Sequence, residues 1–177
     1  MAESERDGGR ASAGSQRAVR SPPRRDVRWR ASRRSGPAAP DRLFVDSSAW
    51  IALLSPRDQH HVEADALFRE AVERRARLVT TNLVLAEIHR LLLFRAGVQA
   101  ASTAIDRLES SPALTLTFPS AGHHAAARTW LRRLAHRRLS YTDAVSFAVI
   151  DASRCRAVLT FDEDFAAAGF RVWRHRG

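Results

Sequence analysis

The chain has 177 residues, one cysteine and a formal net charge of +10 at pH 7, and all 29 of its basic residues are arginine. That length is enough for one domain with a real core, while a lone Cys155 excludes an internal disulfide and suits a reducing compartment. The absence of lysine excludes P-loop, Schiff-base and phospho-receiver chemistry, and arginine forks suit phosphate oxygens; a GC-rich genome gives the same bias.

No apolar run approaches the roughly 18 residues of a membrane helix, and the N-terminus lacks the apolar stretch of a signal peptide. The expected location is the cytoplasm, with no membrane partner. Residues 1–40 are rich in Arg, Ser, Ala, Gly and Pro and hold ten arginines against four acids. They read as a disordered, Arg-rich extension. A basic arm for nucleic acid, a targeting sequence (against which Glu3, Glu5 and Asp7 argue) and a start codon assigned too far upstream all compete; an upstream start or an inert tail is favoured.

From residue 41 to 177 strand-like and helix-like segments alternate. Leu43 to Val45 is a short buried strand, and Ser48 to Leu54 a short helix stopped by Ser55-Pro56. Gln59 to Arg75 has helical spacing, and Leu78 to Thr80 is a second strand. Thr81 or Asn82 caps a helix that runs to about Arg95, with Gly97 placed to end it. Val98 to Leu108 is helical, and Leu114 to Phe118 alternates as a third strand. Ala121 to Arg138 is a basic helix, and Ser140 or Thr142 caps a helix through Ser153. Ala157 to Thr160 is a fourth strand, Asp162 to Ala168 a short helix, and Phe170 to Trp173 an edge strand. Strands alternating with helices predict an α/β fold with a mostly parallel central sheet covered on both faces.

Four acids stand out by position. Asp46 follows the first strand, where open α/β sheets place their ligands. Glu87 lies four residues after Leu83 and four before Leu91, along the apolar stripe of its helix, where a carboxylate is costly unless paired or metal-bound. Asp143 opens the helix from Ser140, and Asp162 follows the fourth strand. Each has an ordinary alternative, since Asp46, Asp143 and Asp162 are all suited to capping and Glu87 to an ion pair. Together they form a candidate oxygen-only site for Mg²⁺ or Mn²⁺, able to activate water and brace a phosphodiester.

Leu43-Phe44-Val45-Asp46-Ser47-Ser48 resembles the opening of PIN-domain ribonucleases, specifically the VapC-type toxins of toxin–antitoxin pairs. Thr80 to Glu87, Leu139 to Ala144 and Leu159 to Phe165 are similar to the family's second, third and fourth motifs, in order and spacing. The resemblance spans about residues 42–174 and implies a three-layer α/β/α sandwich. It also implies Mg²⁺-dependent endoribonuclease activity, with Asp46, Glu87, Asp143 and Asp162 as catalytic metal ligands. By the same resemblance the partners are RNA, a cognate antitoxin that blocks the site, and a second copy packed through the apolar helices around 82–108. Ser48, Thr142 and Asp164 are candidates to orient the carboxylates. The alternative is a catalytically inactive PIN-like module that binds RNA or a protein. An aspartyl phosphatase is disfavoured, because Ser48 stands where its second Asp belongs.

Less informative are His60-His61 and His123-His124, which lack helical zinc spacing and read as surface residues at helix starts, with RNA contact as the lesser alternative. Arg128, Arg132, Arg133, Arg137 and Arg138 form a basic cluster suited either to solvent or to RNA phosphates. Trp50, Trp130 and Trp173 read as core or interface, and Cys155 as a small buried hydrophobe.

Overall fold

In a computed structural model, the structure describes residues 41–174; the predicted extension 1–40 lies outside the described residues. The strands are β1 (Arg42–Val45), β2 (Arg77–Thr81), β3 (Leu114–Thr117) and β4 (Ala157–Leu159). The helices are α1 (Ser47–Leu54), α2 (His61–Glu73), α3 (Asn82–Ala96), α4 (Val98–Glu109), α5 (Ala121–Arg133), α6 (Tyr141–Ser153) and α7 (Glu163–Ala167).

The sheet is wholly parallel, in the order β3-β2-β1-β4. Parallel neighbours require crossovers, and crossovers are right-handed. The chain steps one way from β1 to β2 to β3, then back past β1 to β4. Handedness therefore assigns α1 to α4 to one face and α5 with α6 to the other. The packing agrees: α1 meets α2 and α3, α3 meets α4, and α5 meets α6. This is the expected three-layer sandwich. Because β1 and β4 are buried on both faces, Leu43, Phe44, Val45, Val158 and Leu159 form an uninterrupted apolar run. The strand order reverses between β1 and β4, the place where such sheets leave a crevice at their carboxyl ends.

Local chemistry sets the ends of the helices. Thr81, not Asn82, caps α3, its hydroxyl accepting from the Val84 N–H at 3.2 Å. Gly97 at φ 87° ends α3 and begins α4 without a break, a backbone that favours glycine. Ser140, not Thr142, caps α6.

Two segments differ from the sequence expectation. The basic helix predicted over Ala121 to Arg138 stops at Arg133. Leu134 leaves the helical geometry and is buried, and Arg137 turns back to an ion pair with Asp164 at 2.8 Å. The edge strand predicted for Phe170 to Trp173 is a single parallel bridge between Val158 and Val172, fixed by Val158 N to Arg171 O and Trp173 N to Val158 O. Trp50 and Trp173 are buried and Trp130 packs against the core, as their apolar reading suggested. Cys155 is half-buried beside that core, where desolvation pushes its thiol up to about 11 despite the opposing Arg42 charge.

Phe147 of α6 is the hub of the α5–α6 layer. It is fully buried, and its ring lies 5.3 Å from Trp130, 4.9 Å from Phe165 and 5.1 Å from Phe170. Truncation there leaves a cavity that three separate segments must collapse into. Phe147→Ala is expected to lower unfolding free energy by about 3–5 kcal/mol, read as a lower midpoint in urea denaturation.

Candidate metal centre

The site grows from the end of β1. Asp46 is 2 % exposed and caps α1 through the Ser48 N–H at 3.1 Å. Its Oδ2 also accepts from Ser48 Oγ at 2.7 Å and Thr160 Oγ1 at 3.1 Å, while Oδ1 accepts a longer bond from Ser47 Oγ at 3.4 Å. Ser48 Oγ in turn accepts from the Phe161 N–H, and Thr160 Oγ1 from the Asp162 N–H, both at 3.0 Å. These bonds tie the carboxyl end of β1 to that of β4. Thr160 was not singled out in the sequence, since its role depends on a residue 114 positions away.

Asp143 sits in the first turn of α6 within a capping box. Its Oδ2 accepts from Ser140 Oγ at 2.6 Å and from the Ser140 N–H at 3.2 Å, and Ser140 Oγ accepts from the Asp143 N–H. The Thr142 hydroxyl, a candidate for that orienting role, makes no hydrogen bond among the described residues. Asp162 caps the short α7, its Oδ1 accepting from the Asp164 N–H at 2.8 Å. Asp164 is itself held by Arg137. Glu87, on α3, is half-buried and makes no hydrogen bond or ion pair among the described residues.

Asp46, Glu87, Asp143 and Asp162 line one cleft of about 470 Å³, with Ser48, His60, Phe161 and Arg95 also on its walls. The fold thus gathers all four predicted acids. It does not bring them to ligating distance: among the described residues no three side chains are close enough together to share one metal ion.

The donor chemistry nevertheless fits a hard divalent cation. The four acids supply only oxygens, and Glu87 and Asp46 Oδ1 are the least committed of them. The electrostatics agree. Desolvation raises the Asp143 carboxyl to about 7, with the neighbouring charges of Asp46 and Asp162 pushing the same way and the Ser140 bonds opposing. Asp46 is also raised by desolvation, against the bonds from Ser48, Ser47 and Thr160. A cleft that discourages its own carboxylates from ionising is one in which a cation lowers the energy.

Comparison with known proteins followed the same lines. Residues 43–171 match the PIN domain family. The 23S rRNA-specific endonuclease VapC20 of Mycobacterium tuberculosis is 35% identical over 128 residues, covering 72% of this chain and 95% of that protein. The crystal structure of M. tuberculosis VapC20, described as a Sarcin-Ricin loop cleaving toxin, aligns with a TM-score of 0.69 at 34% identity, over 75% of this chain and 99% of that one. A toxin–antitoxin complex from Klebsiella pneumoniae aligns with a TM-score of 0.54 at 17% identity, over 76% of this chain and 99% of that one. VapBC2 from Rickettsia felis, bound to a promoter DNA fragment, aligns at 0.56 and 13%, over 74% and 96%. These last two bear on the fold alone.

The raised carboxyl at Asp143 has a consequence for stability. A group whose folded pKa lies above its unfolded value favours folding in acid, and that contribution is lost as pH rises from 3.8 through about 7. In a chelator, Asp143→Asn should therefore melt higher than wild type, by roughly 3 °C or more, at about pH 8, with the difference vanishing near pH 4. Thermal scans across that range check it; a variant less stable than wild type at high pH overturns the electrostatic account.

Proposed function

The chain belongs to the PIN-domain family and is a VapC-type ribonuclease toxin of a toxin–antitoxin system; from that premise we propose that Asp46, Glu87, Asp143 and Asp162 hold Mg²⁺ or Mn²⁺ and cleave large-subunit ribosomal RNA. The observation that carries the site assignment is the shared cleft of four acids at the reversal point of the sheet. The substrate is inferred from the M. tuberculosis relative, whose name states 23S rRNA and the sarcin–ricin loop.

When bound, the cation supplies Lewis-acid chemistry, activating water and bracing the phosphodiester oxygens. The residues do the rest. Ser48 and Thr160 fix the Asp46 carboxylate so that Oδ1 faces its task without rotation. Ser140 does the same for Asp143. Arg137 holds Asp164 and with it the start of α7, where Asp162 sits. Arg128 and Arg132 bond only to neutral partners on α5, and Arg138 is exposed, so all three are free to meet RNA phosphates.

The partners follow the same reading. A cognate antitoxin would silence the toxin by covering the acid cleft, with an inserted arginine as the natural counter-charge. A homodimer would pack through the α3–α4 corner, where Phe94 is 80% and Val98 68% exposed. No helix among the described residues is long and apolar enough to cross a membrane.

With total bacterial RNA, the full chain should give discrete fragments in Mg²⁺ or Mn²⁺ and none in a chelator. Asp143→Asn and Glu87→Gln should each slow cleavage on the order of a hundredfold or more. Primer extension then locates the cut, and fragments outside 23S RNA would overturn the substrate. Intact RNA in every condition, with no thermal shift from either metal, would point to an inactive binding module instead. Separately, Phe94→Arg should convert the dimer to monomer in sedimentation velocity without altering the far-UV spectrum.

A further inference from the structure

The acid cleft has an aromatic wall. The ring of His60 lies 4.3 Å from that of Phe161, centroid to centroid, at an interplanar angle of 10°. Both side chains are half-buried and both line the cleft that holds the carboxylates. Phe161 sits between Thr160 and Asp162, and its backbone N–H is anchored on Ser48 Oγ, so the pair is fixed relative to the site.

Local structure does not account for His60. It occupies the N-cap position of α2, yet its side chain makes no capping bond. Its neighbour His61 does have a structural task, with Nδ1 bonded to Ala52 O at 2.8 Å, tying α2 to α1. Among the described residues, the only polar contact of the His60 ring is with exposed Gln59, whose Nε2 donates to His60 Nε2 at 3.1 Å. A second nearly parallel ring pair, His124 with Tyr141, lies off the cleft and is engaged in its own 2.8 Å hydrogen bond.

Single-stranded RNA is gripped by stacking its unpaired bases on aromatic side chains, a contact that tolerates any base because each has a π-face. A flat ring pair on the wall of a phosphodiester-cleaving cleft is placed to take the base beside the scissile phosphate. We propose that His60, backed by Phe161, is a nucleobase-stacking platform that seats the nucleotide next to the cut. The proposal rests on the ribonuclease reading of the cleft and adds the residues that position its substrate.

The test uses the full chain carrying Asp143→Asn to suppress cleavage, in Mg²⁺, with a single-stranded RNA decamer containing one central 2-aminopurine. With His60 intact, binding should quench the 2-aminopurine fluorescence. Adding His60→Ala should weaken binding about tenfold and relieve the quench, whereas His60→Phe should stay within about twofold of His60 because it keeps the stack. The Mn²⁺-induced rise in melting temperature should be the same for His60→Ala and wild type. Equal affinity and quench in His60→Ala overturn the platform, and so does His60→Phe failing as badly as alanine, since the imidazole would then be acting through its polar atoms. A wild-type chain that cuts bacterial RNA while the decamer stays unbound also overturns the platform alone. A chain that neither cuts nor binds RNA overturns the ribonuclease reading with it.

Discussion

Everything at the carboxyl edge of the sheet depends on one buried carboxylate. Asp46 ends the strand that lies between β2 and β4, and only 2 % of it is exposed. A carboxylate so desolvated needs donors in fixed positions. Ser48 comes from the turn into α1, and Thr160 from the end of β4. In meeting that need, the two hydroxyls also accept the backbone N–H groups of Phe161 and Asp162. The same bonds that make Asp46 tolerable therefore place the last acid and the aromatic wall. Capping and site-building are not competing explanations of this residue, because one set of hydrogen bonds performs both.

The acids are held together against their mutual repulsion. Asp143 is raised chiefly by desolvation, with Asp46 and Asp162 adding to it. The sheet and the α6 packing supply the opposing stability: the α6 segment Ala144 to Ile150 is buried without interruption. A rigid apolar layer carries a strained polar edge, the common division of labour in a functional site. Asp46, Asp143 and Asp162 each begin a helix as well, so their backbone positions are fixed even where their charges conflict.

The sequence was informative where local chemistry decides. Three short apolar runs became β1, β2 and β4, because buried strands lose the alternation that marks a half-exposed sheet, while the alternating Leu114 to Thr117 became the edge strand β3. Gly97 and the Ser140–Asp143 capping box marked helix ends through bonds spanning a few residues. It was uninformative where distant residues decide. Nothing local ends α5 at Arg133; the stop comes from buried Leu134 and from Arg137 reaching Asp164, 27 positions on. The His60–Phe161 stack joins residues about a hundred positions apart, and His60 read as one of a surface pair for which RNA contact was the lesser alternative. The acids could be named one by one, but their common cleft required the fold.

If the proposed site is right, a cleft lined with carboxylates should repel the polyanion it is to cut, so attraction has to come from its surroundings. Residues 41–177 hold 19 arginines against 15 acids, a margin too thin to act through net charge alone. What matters is which arginines are already neutralised. Arg69, Arg74, Arg137 and Arg156 are paired with carboxylates, and Arg133 lies over the Trp130 ring. Among the described residues Arg128, Arg132 and Arg138 have no such partner, and neither does Arg95 on the wall of the cleft. Fields from unpaired charges act over about 8–10 Å at physiological salt, so Arg95 on the cleft wall can draw in a phosphate. The last few ångströms then fall to contacts that do not depend on charge. An aromatic face serves there, because base stacking loses nothing to the carboxylates beside it. Unpaired arginine outside, stacking at the wall and acids on the floor form an ordered route by which RNA can approach a site of its own sign.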